Sequence, residues 1–347
     1  MLENRRIRIG LIGLGYWGAN YFRVLLNLEG VELKYVCDKD ISKFSKYEKL
    51  AIAKNIIFLN DATKIAEDEE IEAVIIATPA STHYELTKMM LESGKHVLVE
   101  KPLTMSYKQA LELCSLSKKV GKILMVGHIY CYNPAVKFIK DFLSQENFGD
   151  LYYGIGLRLG LGPIRSDASC TWDLATHDVA MLYYILNRLP RYVTAHALAF
   201  LQKEKGIYDY ANISFIFDND FQFNLTVSWY AAEKIRTWYL MGSKFMLKFD
   251  DMNKNSPITI YNKKVFSSKI QNNTLKFSKF LLKEGAIILP PIQQSEPLLV
   301  QCMHFIESIK SGKEPLTDCL HGAMVVRVLE AVEESINNAG ALVEVRT

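Results

Sequence analysis

Three side chains have the types and spacing for proton chemistry on a hydroxyl group: Lys101, Asp173 and His177. Lys101 stands in Glu100-Lys101-Pro102, which directly follows the strand pattern 95–99. That places it at the carboxyl end of a strand, in the crevice where open α/β sheets bind their ligands. An ammonium held there can hydrogen-bond a hydroxyl and stabilise the alkoxide as it forms. Pro102 fixes the turn, and a cis bond before it suits so tight a place. Asp173 and His177 are i and i+4 of a helical pattern over 172–186, which puts them on one face. The carboxylate can then hold the imidazole in one tautomer and keep it basic, and histidine is the side chain best matched to taking a proton near neutral pH. Each feature alone has a plainer reading: an exposed lysine after a strand, or a capping aspartate beside a packed histidine.

Oxidising a hydroxyl needs an electron acceptor, and residues 7–18, IRIGLIGLGYWG, offer a place for one. Ile7, Ile9, Leu11 and Ile12 read as a buried strand, Gly13-x-Gly15-x-x-Gly18 follows at once, and an amphipathic helix runs from about Tyr16 to Leu28. Gly13 allows the tight turn, Gly15 lets backbone approach a pyrophosphate, and Gly18 lets helix pack on strand. The helix N-terminus offers free N–H groups and a positive dipole end to phosphate. Tyr16 and Trp17 sit inside this loop and count with the glycines as cofactor contacts. Asp38 ends a second strand pattern, 31–37, twenty residues beyond Gly18. A carboxylate there accepts hydrogen bonds from the adenosine ribose and repels a 2′-phosphate, so NAD is expected over NADP. Lys39 beside it tempers that preference. Thr78-Pro79 breaks the strand 72–77, and the loop to His83 leaves its carboxyl end. It is expected to line the cofactor with Thr78, Pro79 and Glu100; His83 either joins them or is an exposed residue of a helix first turn capped by Ser81.

The elements that position these groups follow from periodicity. Strand patterns alternate with helices up to Gly127-His128, which predicts a doubly wound parallel sheet, a Rossmann domain, over residues 1–128. Residues 129–347 change character. A helix opens at Asn133-Pro134 and runs to about 145, and 151–159 alternates as a strand. Patterns at 192–201, 207–217, 221–230, 236–241 and 244–250 follow, joined by turns such as 218–220 and 242–243. Strands without intervening helices predict a mostly antiparallel open sheet with helices on one face. The other face is expected to be covered by a second copy, giving a homodimer or homotetramer. Two helices, 297–310 and 319–338, close the chain. Arg158 and Arg165 flank Gly160-Leu161-Gly162-Pro163, where they either clamp an anionic substrate group or pair with acids of their own domain.

Composition narrows the partners. A chain of 347 residues exceeds one ordinary core, and 49% hydrophobic with 23% charged residues describes a soluble globular protein. The net charge of +3 is too small to argue for nucleic acid or a membrane surface. Residues 261–283 carry six lysines and no acid, which reads as a solvated hairpin or loop rather than an anion site. Cys37, Cys114, Cys131, Cys170, Cys302 and Cys319 show no C-x-x-C and no metal spacing. They are expected to be reduced thiols of a cytoplasmic protein, and no metal is expected. The first apolar run is broken by glycines and continues into the fold, so no signal peptide is read, and no run reaches membrane length.

The order of Gly13-x-Gly15-x-x-Gly18, Ala77-Thr78-Pro79 with His83, Glu100-Lys101-Pro102 and Asp173-x-x-x-His177 resembles the glucose–fructose oxidoreductase / inositol dehydrogenase / MocA family over nearly the whole length. The resemblance implies a nicotinamide-dependent sugar oxidoreductase. In it Lys101 and His177 act on the substrate hydroxyl and Asp173 supports them. Residues 158–178 look most like members that act on nucleotide-activated sugars, often at C3, the UDP-N-acetylglucosamine-uronate 3-dehydrogenases of surface-polysaccharide pathways among them. The alternatives are a free polyol as substrate, an NADPH-dependent keto-sugar nucleotide reductase, and a non-catalytic cofactor-sensing regulator.

Overall fold

The computed structural model describes residues 6–144, 148–218, 220–272 and 275–347, with backbone only for 264–282. Asn219 of the expected turn and the expected helix end at residue 145 lie outside the described residues. The first part builds one parallel sheet from β1 (Ile7–Ile12), β2 (Val31–Cys37), β3 (Ile57–Leu59), β4 (Ala73–Ile76), β5 (His96–Glu100) and β6 (Leu124–Gly127). Its order is β3-β2-β1-β4-β5-β6, with every pair parallel. Helices α1 (Tyr16–Leu25), α2 (Glu48–Lys54), α3 (Thr63–Glu67), α4 (His83–Glu92) and α5 (Tyr107–Val120) make the connections. Strand β4 is buried along its whole length, as expected where both sheet faces are covered. A 3₁₀ segment, Ile41–Tyr47, leads into α2.

After β6 the chain enters α6 (Pro134–Leu143), started by the Asn133 carboxamide oxygen accepting from Ala135 N at 2.9 Å. The second sheet has nine strands: β7 (Leu151–Leu159), β8 (Tyr192–Leu198), β9 (Tyr210–Ile216), β10 (Gln222–Ser228), β11 (Ile235–Gly242), β12 (Met246–Asp250), β13 (Ile258–Tyr261), β16 (Ile287–Ile288) and β17 (Val343–Glu344). Strands β14 (Lys264–Asn272) and β15 (Leu275–Lys283) pair antiparallel as a separate two-stranded ribbon, which holds most of the lysine-rich stretch. The nine-stranded sheet is antiparallel except at its centre, where β10 lies parallel to β7. The excursion through helix α7 (Thr176–Leu186) lets the chain return by β8 and β9 and reach β7 in that sense. Helices α8 (Pro297–Ser311) and α9 (Cys319–Asn337) close the chain.

Helix α9 locks the two sheets together. A Cβ on Gly322 would overlap Val126 of β6 and touch Leu103 just beyond Lys101. The Thr317 C=O and hydroxyl extend the edge of β6: Val126 N donates to Thr317 O at 2.8 Å, and Thr317 Oγ1 donates back to Val126 O at 2.7 Å. One cysteine pair departs from expectation. Cys114 on α5 and Cys319 at the start of α9 are joined in a disulfide, with Cα atoms 5.5 Å apart. The two lie 205 residues apart, so only the packing of α5 on α9 brings them together. Cys37, Cys131, Cys170 and Cys302 are free and buried. Among the described residues no helix is long and apolar enough to cross a membrane, and no group of three or more His, Cys, Asp or Glu is placed to hold a metal ion.

The disulfide predicts a thiol count. Titration of the unfolded, unreduced protein with a thiol reagent should find four reactive cysteines, rising to six after reduction. Six before reduction would show the pair to be open.

Candidate functional site

The glycine loop follows from local sterics. Gly13 has φ +96°, in the left-handed region, and a Cβ on it would strike the Ala77 carbonyl. A Cβ on Gly18 would strike the Gly13 carbonyl, so the turn and the helix close on each other. Gly15 differs: nothing lies within 4 Å of a Cβ built on it. Its backbone faces open space at the N-terminus of α1, which no side chain caps. The loop therefore fits a pyrophosphate, with free N–H groups and the dipole end aimed at it. Tyr16 is 81% exposed beside this opening and packs edge-on against Trp17.

Asp38 folds back on the loop. Its Oδ2 accepts from Leu14 N at 2.6 Å and its Oδ1 from Asp40 N at 2.9 Å. Lys43, not the neighbouring Lys39, reaches both oxygens at 2.9 Å. Burial pushes the Asp38 carboxyl up, but these N–H groups and the Lys43 ammonium outweigh it and hold the group below its ordinary range. Asp38 is thus a carboxylate at the edge of the cradle.

Lys101 is buried at the end of β5, after which the chain turns through a cis Lys101–Pro102 bond. Its Nζ donates to Asp173 Oδ1 at 2.9 Å and to the Asp173 carbonyl at 2.7 Å. This corrects the expected pairing of Asp173 with His177. Residues Thr171–Ala175 form a π turn ahead of α7, so the i, i+4 rule of an α-helix does not hold across it. Thr176 contributes to that distortion by hydrogen-bonding the Trp172 carbonyl. The wider turn aims Asp173 at Lys101, while Trp229 Nε1 donates to its Oδ2 at 3.1 Å and Arg165 stands 3.5 Å from Oδ1. Burial pushes the Asp173 carboxyl up, and Lys101 foremost among its partners brings it below the ordinary value.

Among the described residues His177 has no carboxylate partner. Its Nδ1 is enclosed and without a hydrogen-bond partner among the described residues, and its ring lies 5.0 Å from the Tyr130 ring. Burial, then the charges of Lys101, Arg158 and Arg236, hold its pKa well below the ordinary histidine value, so it is a neutral imidazole at neutral pH.

Two expected ligand contacts are internal instead. Arg158 is 4% exposed, in a bidentate pair with Asp178, and lies over the Tyr130 ring. His83 is buried: Nδ1 sits 2.7 Å from the Pro102 carbonyl and Nε2 3.0 Å from the Thr78 carbonyl. It ties the Thr78-Pro79 loop to the loop after Lys101, so it is neither exposed nor open to a ligand. The expected Ser81 cap is absent; Thr78 and Thr82 share a hydroxyl hydrogen bond of 2.7 Å. Arg165 pairs with Asp167 at 2.6 and 2.9 Å, leaving only its longer contact with Asp173 at the site.

Glu100 belongs to a buried network that the sequence does not announce. Its Oε1 accepts from Tyr21 OH at 2.7 Å, its Oε2 from Lys101 N at 3.2 Å, and Gln301 Nε2 donates to Tyr21 OH at 2.8 Å. The chain of bonds ties α1, β5 and α8 together beneath Lys101. Gly127 spares room for it, since a Cβ there would stand 2.9 Å from Glu100 Oε1. Tyr21 and Gln301 carry no motif; the only signal is a hydroxyl on the core face of α1. Tyr21→Phe keeps the ring but strands a buried carboxylate and a buried amide, a loss of roughly 1–3 kcal/mol. Urea unfolding should register it while NAD affinity changes little; a loss below about 0.5 kcal/mol, the range of ordinary surface substitutions, would mean the network adds nothing.

Known proteins share this architecture. Residues 7–128 match the model of an oxidoreductase family with an NAD-binding Rossmann fold, and residues 163–248 match the GFO/IDH/MocA C-terminal domain. An uncharacterized oxidoreductase of Escherichia coli K12, YdgJ, is 32% identical over 148 residues, 42% of this chain and 41% of that protein. The scyllo-inositol 2-dehydrogenase (NAD(+)) of Bacillus subtilis is 30% identical over 198 residues, 55% of this chain and 57% of that one. The chain thus aligns with about two fifths to three fifths of these relatives' lengths. The UDP-N-acetylglucosamine 3-dehydrogenase GnnA of Acidithiobacillus ferrooxidans superposes with a TM-score of 0.77 at 21% identity, covering 95% of this chain and 99% of that one, a likeness of fold. With both domain models matched in order around the Lys101–Asp173 pair, the chain belongs to the glucose–fructose oxidoreductase / inositol dehydrogenase / MocA family of oxidoreductases.

Proposed function

We propose that this protein is an NAD-dependent dehydrogenase oxidising a secondary hydroxyl of a sugar, at C3 of a nucleotide-activated sugar in polysaccharide assembly. In this reading residues 1–128 carry the cofactor and residues 129–347 the substrate, in the cytoplasm. The observation that carries it is the meeting of Lys101, at the end of a strand of the parallel sheet, with Asp173 of the π turn that leads into the His177 helix, between β7 and β8 of the second sheet. Gly13, Gly15, Gly18 and Asp38 would hold NAD, with Tyr16, Trp17, Thr78 and Pro79 around it. When bound, NAD supplies the electron-pair acceptor for oxidation at carbon. The remaining work falls to side chains. His177, neutral and with Nδ1 enclosed, takes the hydroxyl proton at Nε2. Lys101 places its ammonium against the substrate oxygen and stabilises developing negative charge. Asp173, with Trp229 behind it, fixes the Lys101 amine in place. A second reading, a free polyol as substrate, draws on the likeness to the inositol dehydrogenase.

Lys101→Ala and His177→Ala should each lower turnover by about 10²-fold or more while NAD affinity stays within a few-fold. A panel of nucleotide sugars and free polyols, followed by NADH absorbance, separates the two substrates; near-wild-type rates in both variants would overturn the proposal. The acid limb of the kcat–pH profile should fall below 6.5, the ordinary histidine value. The sign follows from the depressed pKa: His177 stays neutral until the pH drops beneath it, and only then loses the capacity to accept a proton.

The outer face of the nine-stranded sheet exposes Tyr153, Ile155 and Tyr239 side by side across β7 and β11. This supports a homodimer or homotetramer built on that face. Light scattering should give an even multiple of the chain mass, and Tyr239→Glu should shift it toward the monomer. A monomeric wild type would exclude the assembly.

A further inference from the structure

Arg236 stands directly opposite Arg158 in the antiparallel β7–β11 pair, on the inner face shared with Trp238. Two like charges directly across a sheet repel unless each is compensated. Arg158 is fully compensated by Asp178, which also accepts from Trp238 Nε1 at 2.7 Å. Arg236 is not. Only its NH1 is engaged, donating to Tyr130 OH at 3.0 Å and reaching Asp251 Oδ2 at the long distance of 3.5 Å. That carboxylate is divided further. Tyr130 OH donates to its Oδ2 at 3.0 Å, and Lys254 and Asn133 donate to Oδ1 at 3.2 and 3.4 Å. One carboxylate thus serves two cations, leaving a surplus positive charge. The Arg236 side chain is 34% exposed, and its Nε and NH2 have no acceptor among the described residues. The same Tyr130 that holds Arg236 packs against the His177 ring.

We propose that Arg236, positioned by Tyr130, is the anion-binding residue of the substrate cleft, its free guanidinium edge taking a phosphate or carboxylate group of the sugar substrate. A guanidinium with two unused donors in one plane matches either group by paired hydrogen bonds, and a bound anion removes the uncompensated charge. Arg158, the residue the sequence offered for this task, is buried, paired with Asp178 and bonded through NH1 to Tyr130 OH, so it is closed to a ligand. The identity of the ligand rests on the proposed sugar-oxidising role; the site itself rests on the charge arrangement.

The test separates the two. Inorganic pyrophosphate and glucuronate are titrated calorimetrically into the intact protein, in wild type, Arg236→Met, Arg236→Lys and Tyr130→Phe. Wild type should bind at least one, with affinity at least tenfold weaker in Arg236→Met, partly restored in Arg236→Lys, and several-fold weaker in Tyr130→Phe. Which probe binds distinguishes a diphosphate from a uronate source. The melting temperature of Arg236→Met should be unchanged or higher, since an uncompensated charge is removed; a merely structural arginine would lower it. With UDP-N-acetylglucosamine as substrate, KM should rise at least tenfold while kcat stays within about threefold. Binding that is absent in wild type, or equal in wild type and Arg236→Met, overturns the inference. Arginine-dependent anion binding by a protein that oxidises no sugar leaves this site standing and removes the proposed function instead.

Discussion

The ion pair between Lys101 and Asp173 is the contact on which the rest of the site depends. It joins the end of β5 in the parallel sheet to the π turn ahead of α7, in the connection between β7 and β8 of the second sheet. Both side chains are largely buried, at 5% and 15% exposure, so neither charge is well hydrated. Such a pair persists only where further hydrogen bonds satisfy its remaining atoms, and removing one partner costs about 3–5 kcal/mol. Here the Asp173 carbonyl, Trp229 Nε1 and Arg165 complete the set. The pair therefore holds the two sheets in one relative position at the place where substrate chemistry would occur.

Its consequence for His177 is electrostatic. Because Asp173 is committed to Lys101, the imidazole is left among Lys101, Arg158, Arg236 and His128 with no carboxylate partner among the described residues. That environment disfavours the imidazolium, so the ring is held neutral. Which of Lys101 and His177 holds the aspartate is the asymmetry on which the proposed division of roles between them rests.

Support comes from beneath and from the sides. The Glu100–Tyr21–Gln301 chain anchors the backbone of Lys101 to the helix that begins at the glycine cradle. His83 joins the loops after β4 and β5. Helix α9, pressed on β6 through Gly322 and bonded to α5 through Cys319, closes the far side. The cofactor cradle and the lysine are thus parts of one packed body, and precision at the lysine is set by buried groups that touch no ligand.

What could be read from the sequence by itself was whatever rests on short-range spacing. The Gly13–Gly18 loop, the strand–helix alternation, Asp38 and the Lys101 turn each lie within one or two elements, where sterics and periodicity act on neighbouring residues. Tertiary structure alone decided the pairings. Asp173 meets Lys101 rather than His177 because a π turn breaks the α-helical spacing. Arg158 is spent on Asp178 and Arg236 is left open because β7 and β11, far apart in the chain, share a register. Cys114 finds Cys319 because α5 packs on α9. A charge chooses its partner by distance through space, and that distance exists only once the sheets have docked.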